Sequence, residues 1–181
     1  MKVQLTRFDG VLLFLPVPHR DDRGLFTRTF DVTVARDAGL DPASFVQDSQ
    51  SRSFRGVLRG LHGRAGAGEA KLVRCAHGAV HDVLVDARPS SATFGEYQVF
   101  RLDDVDFAQL YVPAGFLHGF QALTDVADVC YRIDQEHDPT QDLAVRYDDP
   151  DLGVQWPLPI SALSARDAAA GSWDALRSRL G

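Results

Sequence analysis

His62 closes the run GVLRGLH at residues 56–62. A neutral imidazole titrates near pH 7 and can take a proton as a general base. Such a base works better when a carboxylate holds its second nitrogen. Asp82 and Asp167 are the candidates, and the chain alone does not choose between them. Lys71 lies inside a second apolar run, AKLVRCA. Strand alternation puts Lys71, Val73 and Cys75 on one face, with Ala70, Leu72, Arg74 and Ala76 on the other. An ammonium pointing where apolar residues point needs an anion beside it. That anion is either a protein carboxylate or an oxyanion developing on a substrate. The chain carries 17 arginines and only two lysines, Lys2 and Lys71. A lysine at this place is then either chance, a strand-end side chain reaching to water, or a demand for a compact point charge, which a planar guanidinium does not supply. Tyr131 sits in VADVCYRID on the face of Val129 and Ile133. A phenol there is ordinarily core with one hydrogen bond, and a proton donor only in the right company.

Positive charge gathers around His62 as Arg55, Arg59 and Arg64. Gly60 and Gly63 flank the ring and are expected to leave room for a ligand. Arg23, Arg52, Arg59 and Arg64 could hold a diphosphate through bidentate contacts. The six histidines are His19, His62, His77, His81, His118 and His137. No two of them stand one residue apart with a carboxylate soon after, so no metal is expected. A single histidine at a strand end is by itself most often structural. Lys71 is what raises His62 above that reading.

The elements that must position these groups are mostly short strands with turns every eight to twelve residues. The expected strands are 11–17, 25–32, 45–53, 56–62, 70–78, 79–86, 95–102, 108–115, 117–123 and 126–134. The N-terminal stretch MKVQLTRFDGVLLFLPVP reads as strand rather than signal peptide. In FVQDSQSRS the odd positions are Phe45, Gln47, Ser49, Ser51 and Ser53, uncharged and mostly hydrogen-bonding, which fits either a polar ligand cavity or an exposed edge strand polar on both faces. A short helix is expected at 31–39, and the tail SALSARDAAAGSWDALRSRL is the only sustained helical pattern. Strands without crossover helices must pair antiparallel. The expected fold is all-β: a cupin double-stranded β-helix, or jelly roll, with a short C-terminal helical segment, in one domain over 1–181.

A net charge of −6 and a pI near 5.4 argue against nucleic acid or an anionic membrane as partner. A local arginine cluster can still bind a small anion, because repulsion is screened beyond roughly 8 Å at physiological salt. Cys75 and Cys130 read as free, buried thiols. A cytoplasmic protein is expected.

Several stretches together resemble the dTDP-4-dehydrorhamnose 3,5-epimerase family. They are DDRGLFTRTF (21–30), FVQDSQSRSFRGVLRGLHGR (45–64), KLVRCAHGAVHDVLVDARPSSATFG (71–95), YVPAGFLHGFQAL (111–123), YRID (131–134), DDPDLGVQWP (148–157) and LSARD (163–167). The resemblance implies a cupin homodimer that uses no cofactor and no metal. The substrate it implies is a dTDP-linked 4-keto-6-deoxyhexose in deoxysugar biosynthesis. By similarity His62 is the general base and Asp167 its orienting carboxylate. Tyr131 returns a proton from the opposite face, and Lys71 stabilises the enolate oxygen. Arg59 and His118 match substrate contacts, and Gln47 lies in a nucleotide-contact motif. Arg23 and Phe26 match positions that reach the nucleotide across the dimer, with residues 21–28 completing the partner's site.

The chain departs from the family pattern at five places. Arg28 stands for a usual glutamate, Ser49 for asparagine, His137 for a second tyrosine, Asp142 for glutamate and Arg166 for lysine. Positions 28 and 49 fall on nucleotide contacts. Position 137 falls on the pocket around the reacting ring and bears on whether carbon 3, carbon 5 or both are inverted. A single-site epimerase of an antibiotic pathway is thus an alternative. So are a sugar-nucleotide 3,4-ketoisomerase, a non-catalytic sugar-nucleotide-binding cupin and a metal-dependent cupin.

Overall fold

Alternating side chains build two layers, and the layers meet through their apolar faces. The structure is a computed structural model that describes residues 1–180. In chain order its strands are β1 (Lys2–Leu5), β2 (Leu12–Leu15), β3 (His19–Asp21), β4 (Gly24–Phe26), β5 (Gln47–Phe54), β6 (Leu58–Arg64) and β7 (Lys71–His77). There follow β8 (Ala79–Asp86), β9 (Tyr97–Asp103), β10 (Gln109–Val112), β11 (Phe116–Ala122), β12 (Val126–Ile133) and β13 (Asp142–Ala144). Three short helices accompany them: α1 (Val32–Asp37), α2 (Ala165–Ala168) and α3 (Trp173–Leu180).

One sheet runs β1-β2-β10-β7-β12-β5, and the other β13-β6-β11-β8-β9. Every pairing within the sheets is antiparallel among the described residues. The result is the expected jelly roll. Between the sheets lies a core with Val73 and Cys75 of β7, Leu84 of β8, Leu110 of β10, Phe120 of β11 and Val129 of β12. Burying such side chains contributes roughly 1.5–3 kcal/mol each. A second cluster lies where the tail covers the five-stranded sheet, with Leu61, Val83, Val85, Leu117, Trp173 and Leu176. Strand β8 is therefore covered on both faces, which explains why AVHDVLVD is buried along nearly its whole length, its two aspartates included. A third cluster joins α1, through Ala35, to Leu12, Phe14 and Leu72 of the six-stranded sheet. No helix among the described residues is long and apolar enough to cross a membrane.

Three local expectations change. The N-terminal stretch is a hairpin rather than one strand, because the chain reverses before β2 at Gly10, with φ of +81°. The run 25–32 keeps only β4, paired with β3. Beyond an irregular stretch, Asp31 accepts from the Thr33 and Val34 amides and caps α1, within the helix expected at 31–39. The tail does not form one helix but splits into α2 and α3. A second helix starts there because Asp149 Oδ2 accepts from the Trp173 amide at 2.9 Å. Cys75 is buried, but Cys130 is only half-buried, and both are free.

Candidate active site

The inward faces of the strands turn polar at one end of the sandwich. On β7 the face that carries Cys75 and Val73 ends in Lys71. On β12 the face of Val129 continues through Tyr131 to Ile133. Across the gap the five-stranded sheet offers His62 on β6 and His118 on β11, which are register partners. A cavity of about 480 Å³ opens between them, lined among others by Arg59, His62, Lys71, His118, Tyr131 and Asp167. That volume suits a small organic ligand.

Gly60 sets the close approach of β6 to β11. A Cβ there would stand 2.5 Å from Gly119 Cα and 2.9 Å from the His118 carbonyl oxygen, and φ is +124°. At Gly63 a Cβ would meet Leu117 Cδ2 at 2.9 Å. The two glycines therefore make room for the neighbouring strand, not for a ligand.

Asp167 arrives from the tail. The Ser164 hydroxyl accepts from the Asp167 amide at 3.0 Å and caps α2. The nearly buried Asp167 carboxylate then meets His62 Nε2 at 2.5 Å. Asp82 holds a different ring, His118 Nε2, at 2.7 Å. Of the two carboxylates left open by the chain, Asp167 is the one at His62. Burial lowers the His62 pKa below its ordinary value, although the Asp167 contact pulls the other way. The imidazole is thereby neutral near pH 7, as a base must be. Burial pushes the Tyr131 phenol above its ordinary range, against the effect of the Ser51 hydroxyl beside it. Its ring meets that of His118 edge-on, with centroids 6.2 Å apart.

A smaller side chamber of about 160 Å³ shares His62, Lys71, Ile133 and Arg166 with this cavity. Gln47, His137 and Asp142 also line it. Asp142 Oδ2 accepts from Arg166 Nη1 at 2.8 Å. Lys71 Nζ lies 2.7 Å from Glu69 Oε1, so the anion that its apolar face demanded is a protein carboxylate.

Other sequence candidates lie elsewhere. Ser49 borders a separate groove with Asp48 and Gln50, although Gln47 donates to its hydroxyl at 3.2 Å. Arg23 is exposed and paired with Asp21, Phe26 is 70% exposed, and Arg28 pairs with Asp31. None of these three lines either chamber. The four arginines proposed for a diphosphate do not converge. Arg52 is paired with Asp128 and Arg64 with Glu69. Arg59 alone of the four borders the main cavity, braced by Ser53 Oγ at 3.0 Å. Sequence reasoning passed over Glu69. The available signal was proximity, since Glu69 stands two residues before Lys71, just ahead of β7.

The family model for dTDP-4-dehydrorhamnose 3,5-epimerase matches residues 5–175. A dTDP-4-dehydrorhamnose 3,5-epimerase of Methanothermobacter thermautotrophicus is 42% identical over 153 residues, 84% of this chain and 82% of that one. A dTDP-4-dehydrorhamnose 3-epimerase of Streptomyces niveus is 37% identical over 171 residues, 94% of this chain and 83% of that one. The crystal structure of NovW, a 4-keto-6-deoxy sugar epimerase from the novobiocin cluster of Streptomyces spheroides, superposes with a TM-score of 0.94 at 36% identity. That match covers 99% of this chain and 90% of NovW. The chain belongs to the dTDP-4-dehydrorhamnose 3,5-epimerase family.

Proposed function

We propose that this enzyme inverts carbon 3, carbon 5 or both of a dTDP-linked 4-keto-6-deoxyhexose. Both carbons flank the ketone, so loss of either proton gives a stabilised enolate. His62 takes the proton, with Asp167 holding the ring. Lys71 offers its charge to the enolate oxygen, beside His118. Tyr131 returns a proton from the other face. The observation that carries this reading is that base and phenol enter one cavity from opposite sheets. An acid–base pair contributes roughly 10²–10⁴-fold per group, and a charge beside the oxyanion as much or more.

Arg59 is the cavity's contact for the diphosphate. Gln47 and Ser49 extend toward the nucleotide, and a second copy of the chain completes the site with Arg23, Phe26 and Arg28. The exposure of these three on and beside the β3–β4 hairpin supports that assignment. Inversion at a single carbon is the second reading. It is favoured by His137, which lines the side chamber next to His62.

Incubation with the dTDP-linked 4-keto-6-deoxyhexose of D-gluco configuration, in deuterated water, tests both. Label at carbons 3 and 5 supports the double epimerase, and label at one carbon the single. No label at either carbon, with ligand bound, overturns the function.

A further inference from the structure

Glu69 precedes β7 by two residues and lies on the inward face of Lys71. Its side chain is 9% exposed, that of Lys71 14% and that of Arg64 6%. One carboxylate oxygen stands 2.7 Å from Lys71 Nζ, the other 2.8 Å from Arg64 Nε. The second contact is one of charge, out of line for a hydrogen bond. Arg64 is fixed in turn, because its Nη1 donates to the Glu136 carbonyl at 2.9 Å. A buried anion thus sits between two cations, and one of the cations borders the reaction cavity.

An ammonium has three N–H donors. Glu69 engages one side and leaves the others free for a ligand. Without Glu69, Lys71 would share the side chamber with Arg64 and Arg166, two charges of its own sign, while the remaining carboxylate there, Asp142, is paired with Arg166 at 2.8 Å and lies 3.9 Å from Arg64. A buried charge stripped of its partner is strongly destabilised, and the flexible lysine stem lets it swing toward water.

We propose that Glu69 is a positioning residue for the reaction: anchored on Arg64, it holds the Lys71 ammonium on the cavity wall where the enolate oxygen forms. The proposal rests on the assignment of Lys71 above. Its effect is on the step in which charge develops on oxygen, so it should appear in kcat rather than in binding.

The test is a double-mutant cycle on the full chain. Solvent-deuterium exchange into the dTDP-linked 4-keto-6-deoxyhexose of D-gluco configuration is followed for the wild type, Glu69→Gln, Lys71→Met and the double variant. A thermal melt and dTDP titration show that each is folded. Glu69→Gln should lower kcat roughly ten- to hundredfold, with KM and dTDP affinity within about threefold. On the Lys71→Met background the same change should cost less than about threefold. The proposal is overturned if Glu69→Gln exchanges within about threefold of wild type, or if its loss is the same with and without Lys71. Should Glu69→Gln not fold, Glu69→Asp replaces it, keeping the charge but shortening the reach. Its loss must likewise vanish on Lys71→Met, or the proposal falls. If Lys71→Met itself exchanges at the wild-type rate, the assignment of Lys71 fails and takes this one with it. A Lys71-dependent enzyme indifferent to Glu69 sinks the Glu69 role alone.

Discussion

His62 and His118 are register partners on neighbouring strands, yet each ring is tied to its own carboxylate, Asp167 and Asp82. The two dyads differ in access. The His62 side chain is 34% exposed and that of His118 6%. The edge of the first ring is open to the cavity, whereas the second ring is nearly closed within its wall.

His62→Asn should therefore lower deuterium exchange by at least about 10³-fold, and His118→Asn by about 10–100-fold. Asp167→Asn keeps the shape but loses the charge that orients the ring, and should cost about 10²-fold or more. Rapid-quench NMR of the label reads all three. Equal losses at 62 and 118 would remove the distinction between base and wall.

Tyr131→Phe separates exchange from inversion. His62 still removes a proton and returns deuterium on the same face, but no acid serves the other face. Label should enter while the configuration stays unchanged. An enzyme that inverts normally without this hydroxyl would have a different acid.

The pH profile follows from the His62 environment. Burial lowers its pKa, with Asp167 opposing in part. The acid limb of kcat/KM should therefore fall below the ordinary histidine value of about 6.5. Activity is full above that limb and is lost as falling pH protonates the ring. Removing the Asp167 charge should move the limb lower still. A limb above the ordinary value would contradict the dominance of burial.

Asp86 makes a separate prediction, about stability. It is fully buried and accepts from Arg88 at 2.6 Å, Ser91 at 2.6 Å and Thr93 at 2.7 Å. Although burial works against the charge, these donors hold its pKa at about 2, down from 3.8. The folded value is depressed, so its stabilisation is present above pH 4 and fades as pH falls toward 2. The difference corresponds to about 2 kcal/mol. Asp86→Asn should lower stability by at least that much at pH 7 in urea titrations. The gap between variant and wild type should narrow at pH 3.

Gly60→Ala should destabilise by about 3 kcal/mol, since a Cβ would strike the β11 backbone and the positive φ disfavours a side chain. A melt near the wild-type temperature would mean that the strands can part there without cost.

The jelly roll was legible because its signals are local: short apolar strands, turns and no crossover helix. The face of Lys71 followed from alternation alone. The partner of His62 did not, because Asp82 and Asp167 are separated from it by folding rather than by spacing. Strand register takes Asp82 to His118, and a capped turn of helix takes Asp167 to His62. The glycines misled for a related reason. A missing side chain marks vacant space, but only the neighbouring strand decides what fills it. Arginine pairing was equally invisible, since the carboxylates that engage Arg52 and Arg64 lie on other strands or turns.

The origin of Asp167 has a consequence for biogenesis. All the strands precede it, so a nascent chain halted before α2 could complete both sheets and still lack an aligned imidazole. The carboxylate reaches the imidazole only when the segment that follows both sheets folds back onto β6.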